Sequence, residues 1–197
     1  MHLEQEKAVA YLARKGTAAS VPTLRSELHA AFSSAEERFG LVPAEARVWS
    51  PAEKKWSAHE ILDHLVISHE PAVDQLTALL RGETPGGVAI PAGLQTPAPS
   101  RESWPSLTAR LASVHARVLA LVDAAAEDTP LEARAVVEMV VKVPAEDGSL
   151  VPTHWFEHLD WKAFIQAIRV HTLEHRQQLE RVLAAWRELS SRPITEG

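Results

Sequence analysis

Residues 160–189 read DWKAFIQAIRVHTLEHRQQLERVLAAWREL, and this segment gives the clearest indication of the architecture. Its apolar side chains recur every three or four positions, which places them on one side of an α-helix. Asp160 can cap the first turn, because its carboxylate accepts hydrogen bonds from free backbone N–H groups. We predict a helix to about Leu189 and a frayed tail after it. The apolar stripe consists of Trp161, Phe164, Ile165, Ile168, Leu179, Val182, Leu183 and Trp186.

Two helices are predicted in the first forty residues. Residues 3–14 can form a short lead-in helix that ends before Gly16. Ser20 or Thr23 can then cap a longer helix, since a side-chain hydroxyl can bond to the N–H groups of the first turn. Its apolar residues keep helical spacing until Gly40 ends it.

The next helix begins with Ser57 and Glu60, three positions apart, which is the pattern of a capping box. Its apolar face continues to about residue 80. Pro71 lies inside this pattern and can kink the helix, because proline lacks a backbone N–H. Residues 82–99 are rich in proline and glycine, which predicts a long loop that either covers a site or acts as a mobile linker.

A third long helix follows the loop, where Ser100 can cap it, and its apolar stripe fades near residues 128–130. Residues 131–158 hold the β-branched run AVVEMVVKVP and the turn sequence AEDGS, which permit a small β-hairpin before the last helix. Each long helix has one apolar face and must pack against others. We therefore predict an all-α four-helix bundle, one domain over residues 1–197 with its core at about 20–189.

A pair of histidines stands out on the last helix. His171 and His175 are four positions apart, so they project from one face, and the helical wheel puts both inside the apolar stripe. A buried imidazole needs a partner. The two rings can share a metal ion, or each can bond to a polar neighbour in the core. The intervening Thr-Leu-Glu differs from the His-Glu-x-x-His motif of zinc proteases, so spacing alone leaves both interpretations open.

Other helices carry candidates for a third ligand. The wheel centres His69 in the apolar stripe of the Ser57 helix and places His64 at its edge. His115 lies on an inward side of the next helix, as a ligand or a core residue. His59 is predicted to face solvent. Periodicity alone therefore favours His69 as the partner of the histidine pair.

Two segments together resemble the DinB-like, or YfiT-like, superfamily. One is Trp56-Ser57-x-x-Glu60-Ile61-x-x-His64-Leu65 and the other is His171-x-x-x-His175-x-x-Gln178. The resemblance spans about residues 20–189 and implies an up-down-down-up four-helix bundle. It also implies one metal ion bound by His64, His171 and His175, and so selects His64 over His69. The candidates for supporting or pocket residues are Trp56, Glu60, His69, His115 and Gln178.

The resemblance further implies a metal-dependent enzyme that acts on small molecules by thiol S-transfer or hydrolysis, with a low-molecular-weight thiol as cosubstrate in the first case. Three imidazoles suit Zn, Ni, Fe, Mn or Co and leave positions free for water or substrate. The alternatives are a non-catalytic metal- or ligand-binding stress-response bundle and a dimeric interaction module. The pattern identifies no catalytic residue.

Composition excludes several classes of protein. The 197 residues carry a net charge of −6 and no cysteine, which rules out disulfides and thiolate ligands. No Lys/Arg cluster suggests nucleic acid as a partner, and no apolar run is long enough to cross a membrane. The N-terminus lacks a signal-peptide pattern, so we expect a soluble, cytoplasmic protein. We also expect a homodimer, formed through the spare hydrophobic residues Val136, Val137, Val140 and Val141.

Overall fold

The computed structural model describes residues 2–53, 55–145, 147 and 149–191. The tail that was expected to fray lies outside the described residues from position 192 onward. A lead-in helix precedes four long helices, and the chain is mostly helical. Within the described residues, the α-helices are α1 (Leu3–Leu12), α2 (Val21–Gly40), α3 (Ala58–Leu80), α4 (Trp104–Ala124) and α5 (Trp161–Ser190).

Three of the long helices begin where the sequence predicts. The hydroxyl of Ser20 accepts a hydrogen bond from the first turn of α2. Ser57 and Glu60 form the expected capping box on α3, with the Ser57 N–H donating to the Glu60 carboxylate at 2.8 Å. Asp160 accepts from the Ala163 N–H at 2.9 Å and caps α5. Local capping chemistry therefore sets these three starts.

The start of α4 differs from the prediction. Ser103 caps this helix by accepting from the Ser106 N–H, whereas Ser100 lies in a short 3₁₀ turn, Pro99–Arg101. The reason is that Pro105 fits the first turn of a helix, where its missing N–H costs nothing. The helix also ends earlier, at Ala124.

A two-stranded antiparallel sheet accompanies the helices, at the place where the sequence permits a hairpin. Strand β1 (Ala135–Pro144) pairs along its whole length with β2 (Leu150–Leu159), so the permitted small hairpin is present with ten residues in each strand. Alternate residues of β1, including Val137 and Met139, pack against the hydrophobic core. The β-branched character of this segment therefore reflects a real sheet.

The long helices form a ring in which α2 and α3 each pack against both α4 and α5. Two apolar clusters fill the interior, and a layer of polar side chains lies between them. Along α5, the first cluster ends at Ile168 and the second begins at Leu179, with His171 and His175 in the interval. Apolar side chains therefore bound the polar layer on both sides, and the buried polar groups of the layer need hydrogen-bond partners within it.

The lead-in segment is fastened to the bundle at one close approach. After α1, a single π-helical turn, Ala13–Thr17, places Gly16 against the first turn of α5. A Cβ atom on Gly16 would lie 2.6 Å from the Cα of Ala163, so only glycine fits. Thr17 donates its hydroxyl to the second carboxylate oxygen of Asp160 at 2.6 Å. None of the described helices is long and apolar enough to span a membrane.

Candidate metal centre

Three imidazole rings from two helices converge in the polar layer. The centroid of His64 lies 4.9 Å from that of His171 and 4.5 Å from that of His175, and the last two are 4.5 Å apart. The Nε2 atoms of His64 and His171 are 2.8 Å apart. One nitrogen of each ring lies within 4.8 Å of the other two, so the three predicted ligands are brought together in a group that could hold one ion.

Each of these rings has a partner on its outer nitrogen. Nδ1 of His64 lies 2.6 Å from the carbonyl oxygen of Leu94, and Nδ1 of His175 lies 2.9 Å from Oε1 of Gln178. Both oxygens accept, so both Nδ1 atoms carry the proton and both Nε2 atoms keep a lone pair. Nδ1 of His171 lies 3.0 Å from Nε2 of His69. Outer partners of this kind orient the histidine ligands of metals in proteins.

Burial keeps the rings uncharged. It lowers the pKa of His64 and takes the pKa of His171 well below its ordinary value, with repulsion from neighbouring histidines adding to the second shift. Burial and the neighbouring His64 lower the pKa of His175 to about 3. The three rings are therefore neutral near pH 7, which is the state in which imidazole binds a metal.

The loop between α3 and α4 is docked over the site. The backbone N–H and the hydroxyl of Thr96 both donate to the buried carboxylate of Asp63, each at 3.0 Å. This anchor lies two residues from Leu94, whose carbonyl holds His64. Of the two roles that the sequence left open, this part of the loop therefore covers a site.

An open cavity of about 700 Å³ lies on the outer side of the site. Trp56 separates the two, since its ring stacks on His175 at 5.8 Å and lies 4.9 Å from His64. The Glu60 carboxylate borders the cavity while it accepts hydrogen bonds from the backbone and side chain of Ser57. The lining is largely polar and consists of Ser50, Ala52, Glu53, Lys55, Trp56, Glu60 and Gln95.

The two other inward histidines lie behind His171. His69 is buried and contacts His171. His115 is also buried, stacks on Phe32 at 3.7 Å and places Nδ1 2.6 Å from the carboxylate of Glu36. Sequence reasoning missed Glu36, although its position one turn after Phe32 on the inward face of α2 was a usable signal.

One histidine prediction is wrong. His59 is buried rather than solvent-facing, because its Nε2 lies 3.0 Å from the carbonyl oxygen of Glu102 and its ring meets the edge of Trp104. The covering residues lie just before and at the start of α4, so a wheel drawn for α3 alone could not include them. Leu94 was missed for a similar reason, since a backbone carbonyl leaves no pattern in the sequence.

The fold and the site define a helical bundle with a candidate metal centre, and the comparisons with known proteins agree. The family model of the DinB superfamily matches residues 27–179, most of the chain, so this protein belongs to the DinB superfamily. Two solved structures share the fold. YfiT from Bacillus subtilis, described as a probable metal-dependent hydrolase with an unusual four-helix bundle topology, is 11% identical with a TM-score of 0.57, covering 86% of this chain and 87% of its own. The four-helix bundle protein TT2238 is 14% identical with a TM-score of 0.55, covering 82% of this chain and 99% of its own. No curated protein matches the chain.

Proposed function

We propose that this protein is a metal-dependent enzyme that hydrolyses small polar molecules at a centre formed by His64, His171 and His175. The observation that carries the proposal is the arrangement of the ring nitrogens. The outer nitrogens of His64 and His175 both donate to oxygen acceptors, so their inner lone pairs are free, and the His171 ring closes the group. Neutral rings around a shared point need a cation or a proton between them, and a divalent transition metal fits this donor set.

A divalent metal held by three imidazoles supplies a Lewis acid that makes a water molecule or a thiol more acidic. The protein supplies the rest. Trp56 walls the site off from the open cavity and packs on two of the proposed ligands. The cavity lies on the other side of Trp56, and its volume is in the range of small-molecule sites.

Two reactions fit this centre. The description of YfiT as a probable metal-dependent hydrolase supports hydrolysis. The second candidate is S-transfer with a low-molecular-weight thiol, which is favoured by a cavity with room for a cosubstrate larger than water. Assays with and without added thiol separate the two, because only the transfer reaction consumes thiol.

The deciding experiment is elemental analysis of protein prepared without a histidine tag. We expect about one equivalent of Zn, Ni, Fe, Mn or Co per chain. His64→Ala should lose the metal, whereas His29→Ala should keep it, because His29 is half exposed and lies near Asp123 rather than the site. A metal-free wild type that also fails to bind any of these ions in titrations would contradict the proposal.

The non-catalytic alternative gives a different result. If metal binds and raises the melting temperature but no ester, amide or electrophile-plus-thiol mixture is turned over, the centre stabilises a binding protein instead. If the wild type turns over a substrate of this panel and His171→Ala does not, the result would support the proposal of an enzyme.

We further propose that the long helices run up, down, down, up. Ion pairs near both ends of α2 and α5 support parallel packing, since Glu27 pairs with Arg169 and Arg38 pairs with Glu180. By contrast, α2 and α4 pair in reversed order, with Arg25 bonded to Asp123. Spin labels at 27 and 169 should give a short distance, and labels at 27 and 180 a longer one.

We also propose that the protein is a cytoplasmic homodimer, with the outer face of the hairpin at the interface. Phe156 is 63% exposed there and Val136 is 36% exposed, which is unusual for such apolar side chains. Light scattering should then give twice the chain mass, and Phe156→Glu should give a monomer. A wild-type protein that stays monomeric at high concentration would contradict the homodimer. Absence of the protein from the cytoplasmic fraction of cells would contradict the location.

A further inference from the structure

A line of polar side chains continues from the candidate centre through the interior to the surface. It runs from His171 to His69, then His115, and ends at Glu36 on α2. His69 and His115 are buried, while Glu36 is 37% exposed. No hydrogen bond joins His69 to His115 directly, although their ring centroids are only 5.6 Å apart. The buried Nδ1 of His69 and Nε2 of His115 therefore both lack a partner among the described residues.

At both ends of this line, the donor and the acceptor of the hydrogen bond are fixed. The Glu36 carboxylate only accepts, so Nδ1 of His115 carries its proton and Nε2 of His115 is an acceptor. At the other end, the Leu94 carbonyl only accepts, so Nε2 of His64 is an acceptor as well. His69 and His115 are both buried, and a neutral imidazole ring has one donor and one acceptor nitrogen.

Without a cation the line is mismatched. His171 then donates from Nε2 to the acceptor on His64, which makes Nδ1 of His171 an acceptor. His69 must donate to it from Nε2, so Nδ1 of His69 becomes an acceptor too. His69 and His115, whose ring centroids are 5.6 Å apart, then each have only an acceptor nitrogen left, and two buried acceptors cannot bond to each other.

If a cation binds at the centre, the directions at His171 and His69 reverse and the mismatch disappears. Nε2 of His171 is then a ligand atom, and its Nδ1 donates to His69. Nδ1 of His69 carries a proton, and a small shift of the two rings, whose centroids are 5.6 Å apart, would let it bond to the acceptor nitrogen of His115. The number of protons is the same in both arrangements, and only the tautomers of His171 and His69 differ.

Building on the metal centre proposed above, we propose that His115 and Glu36 are positioning residues that set the tautomers of His69 and His171 and thereby favour cation binding. Glu36 makes Nε2 of His115 an acceptor, and this acceptor favours the tautomer of His69 that carries its proton on Nδ1. His171 is thus held by a directed hydrogen-bond chain that reaches the protein surface. Neither His115 nor Glu36 touches the bound ion.

Nitrogen NMR of the imidazole side chains tests the switch in the wild-type protein. Titration with Zn²⁺ should move the proton of His69 from Nε2 to Nδ1, with a matching change at His171. The same His69 tautomer before and after saturation would overturn the proposal. If the wild type does not bind Zn²⁺ at all, the proposed metal centre itself fails, so the two failures are distinguishable.

Zn²⁺ dissociation constants, measured by chelator competition, test the two residues. His115→Phe keeps the stacking on Phe32 and should weaken binding about tenfold, as loss of an outer partner typically does. Glu36→Leu, which removes the acceptor for Nδ1 of His115, should weaken it in the same direction. The matched controls are His29→Phe and Glu27→Leu, which alter an exposed histidine and an α2 carboxylate outside the line.

Wild-type affinity in either His115→Phe or Glu36→Leu would overturn the proposal while leaving the metal centre intact. Circular dichroism of each metal-free variant checks that it is folded. If His115→Phe does not fold, Glu36→Leu and the wild-type NMR titration decide the question without it.

Discussion

The carbonyl oxygen of Leu94 lies 2.6 Å from Nδ1 of His64, so a loop residue orients a helix side chain thirty positions away in the chain. That bond fixes which nitrogen of His64 faces His171. The loop is held in turn by Thr96, which donates twice to Asp63 one residue before His64. The candidate centre therefore depends on a segment that carries no ligand.

Loosening this loop should weaken metal binding. Asp63→Ala removes both bonds from Thr96 in a buried place, and we expect a loss of stability of about 1–3 kcal/mol. The Asp63→Ala variant should also show faster hydrogen exchange at residues 94–97 and a larger Zn²⁺ dissociation constant. Asp74→Ala is the control on the same helix, since Asp74 is exposed and lies 3.9 Å from Arg117. Equal exchange rates in the two variants would contradict the role assigned to Asp63.

Metal should stabilise the folded state. A ligand that binds only the native protein adds about 2.7 kcal/mol at one hundred times its dissociation constant. For a chain of this size, that corresponds to a rise in melting temperature of about 2–4 °C per kcal/mol. Calorimetry with Zn²⁺ and then with chelator should show a reversible shift. His175→Ala should abolish the shift, and a shift of equal size in that variant would place the ion elsewhere.

Acid should destabilise the metal-free protein. The pKa of His175 is about 3 in the folded chain against an ordinary value of 6.5, and burial takes the pKa of His69 well below that value too. The unfolded state therefore binds protons first as the pH falls. Stability that is complete above about pH 6.5 is lost progressively toward pH 3.

Urea unfolding at pH 7.5 and pH 5 measures this loss. The midpoint should be lower at pH 5, and His175→Gln should reduce the difference because one depressed pKa is gone. His29→Gln, at an exposed histidine, should behave like the wild type. A midpoint that rises on acidification would contradict the sign of the argument.

Gly16→Ala should destabilise the fold strongly. The added Cβ would lie 2.6 Å from the Cα of Ala163, and a backbone atom in a capped helix cannot move aside cheaply. We expect the free energy of unfolding to fall by about 1–3 kcal/mol or more. Gly40→Ala is the matched control. Its Cβ would meet nothing within 4 Å, so it should be neutral or slightly stabilising. Equal melting temperatures for the two variants would refute the close approach.

Local chemistry made much of the fold predictable. Capping at Ser57 and Asp160 acts within three residues, so the sequence contains the whole cause of those helix starts. The ring pair His171 and His175 was also visible, because four-residue spacing fixes a shared helix face. The choice of His64 over His69 was not visible in periodicity, since both are buried and only the family resemblance separated them.

Long-range contacts account for what was missed. His59 is covered by Glu102 and Trp104, and His115 meets Glu36 across two helices. Such pairs are set by how whole helices dock, so no spacing within one segment encodes them. The hairpin was predictable only as a possibility, because a β-branched run can form a helix or a strand and its long antiparallel partner decides.

The fastening of the first seventeen residues has a practical consequence for trimming the protein. The segment matched by the DinB superfamily begins at residue 27, yet Thr17 bonds to Asp160 and Tyr11 bonds to Gln166 inside α5. A recombinant fragment cut to the matched boundaries would lose these two hydrogen bonds and the packing of Leu12. The helix α5, which carries two of the three proposed ligand histidines, would lose that support. Expression of this protein should therefore keep its N-terminal arm, with any affinity handle placed beyond it.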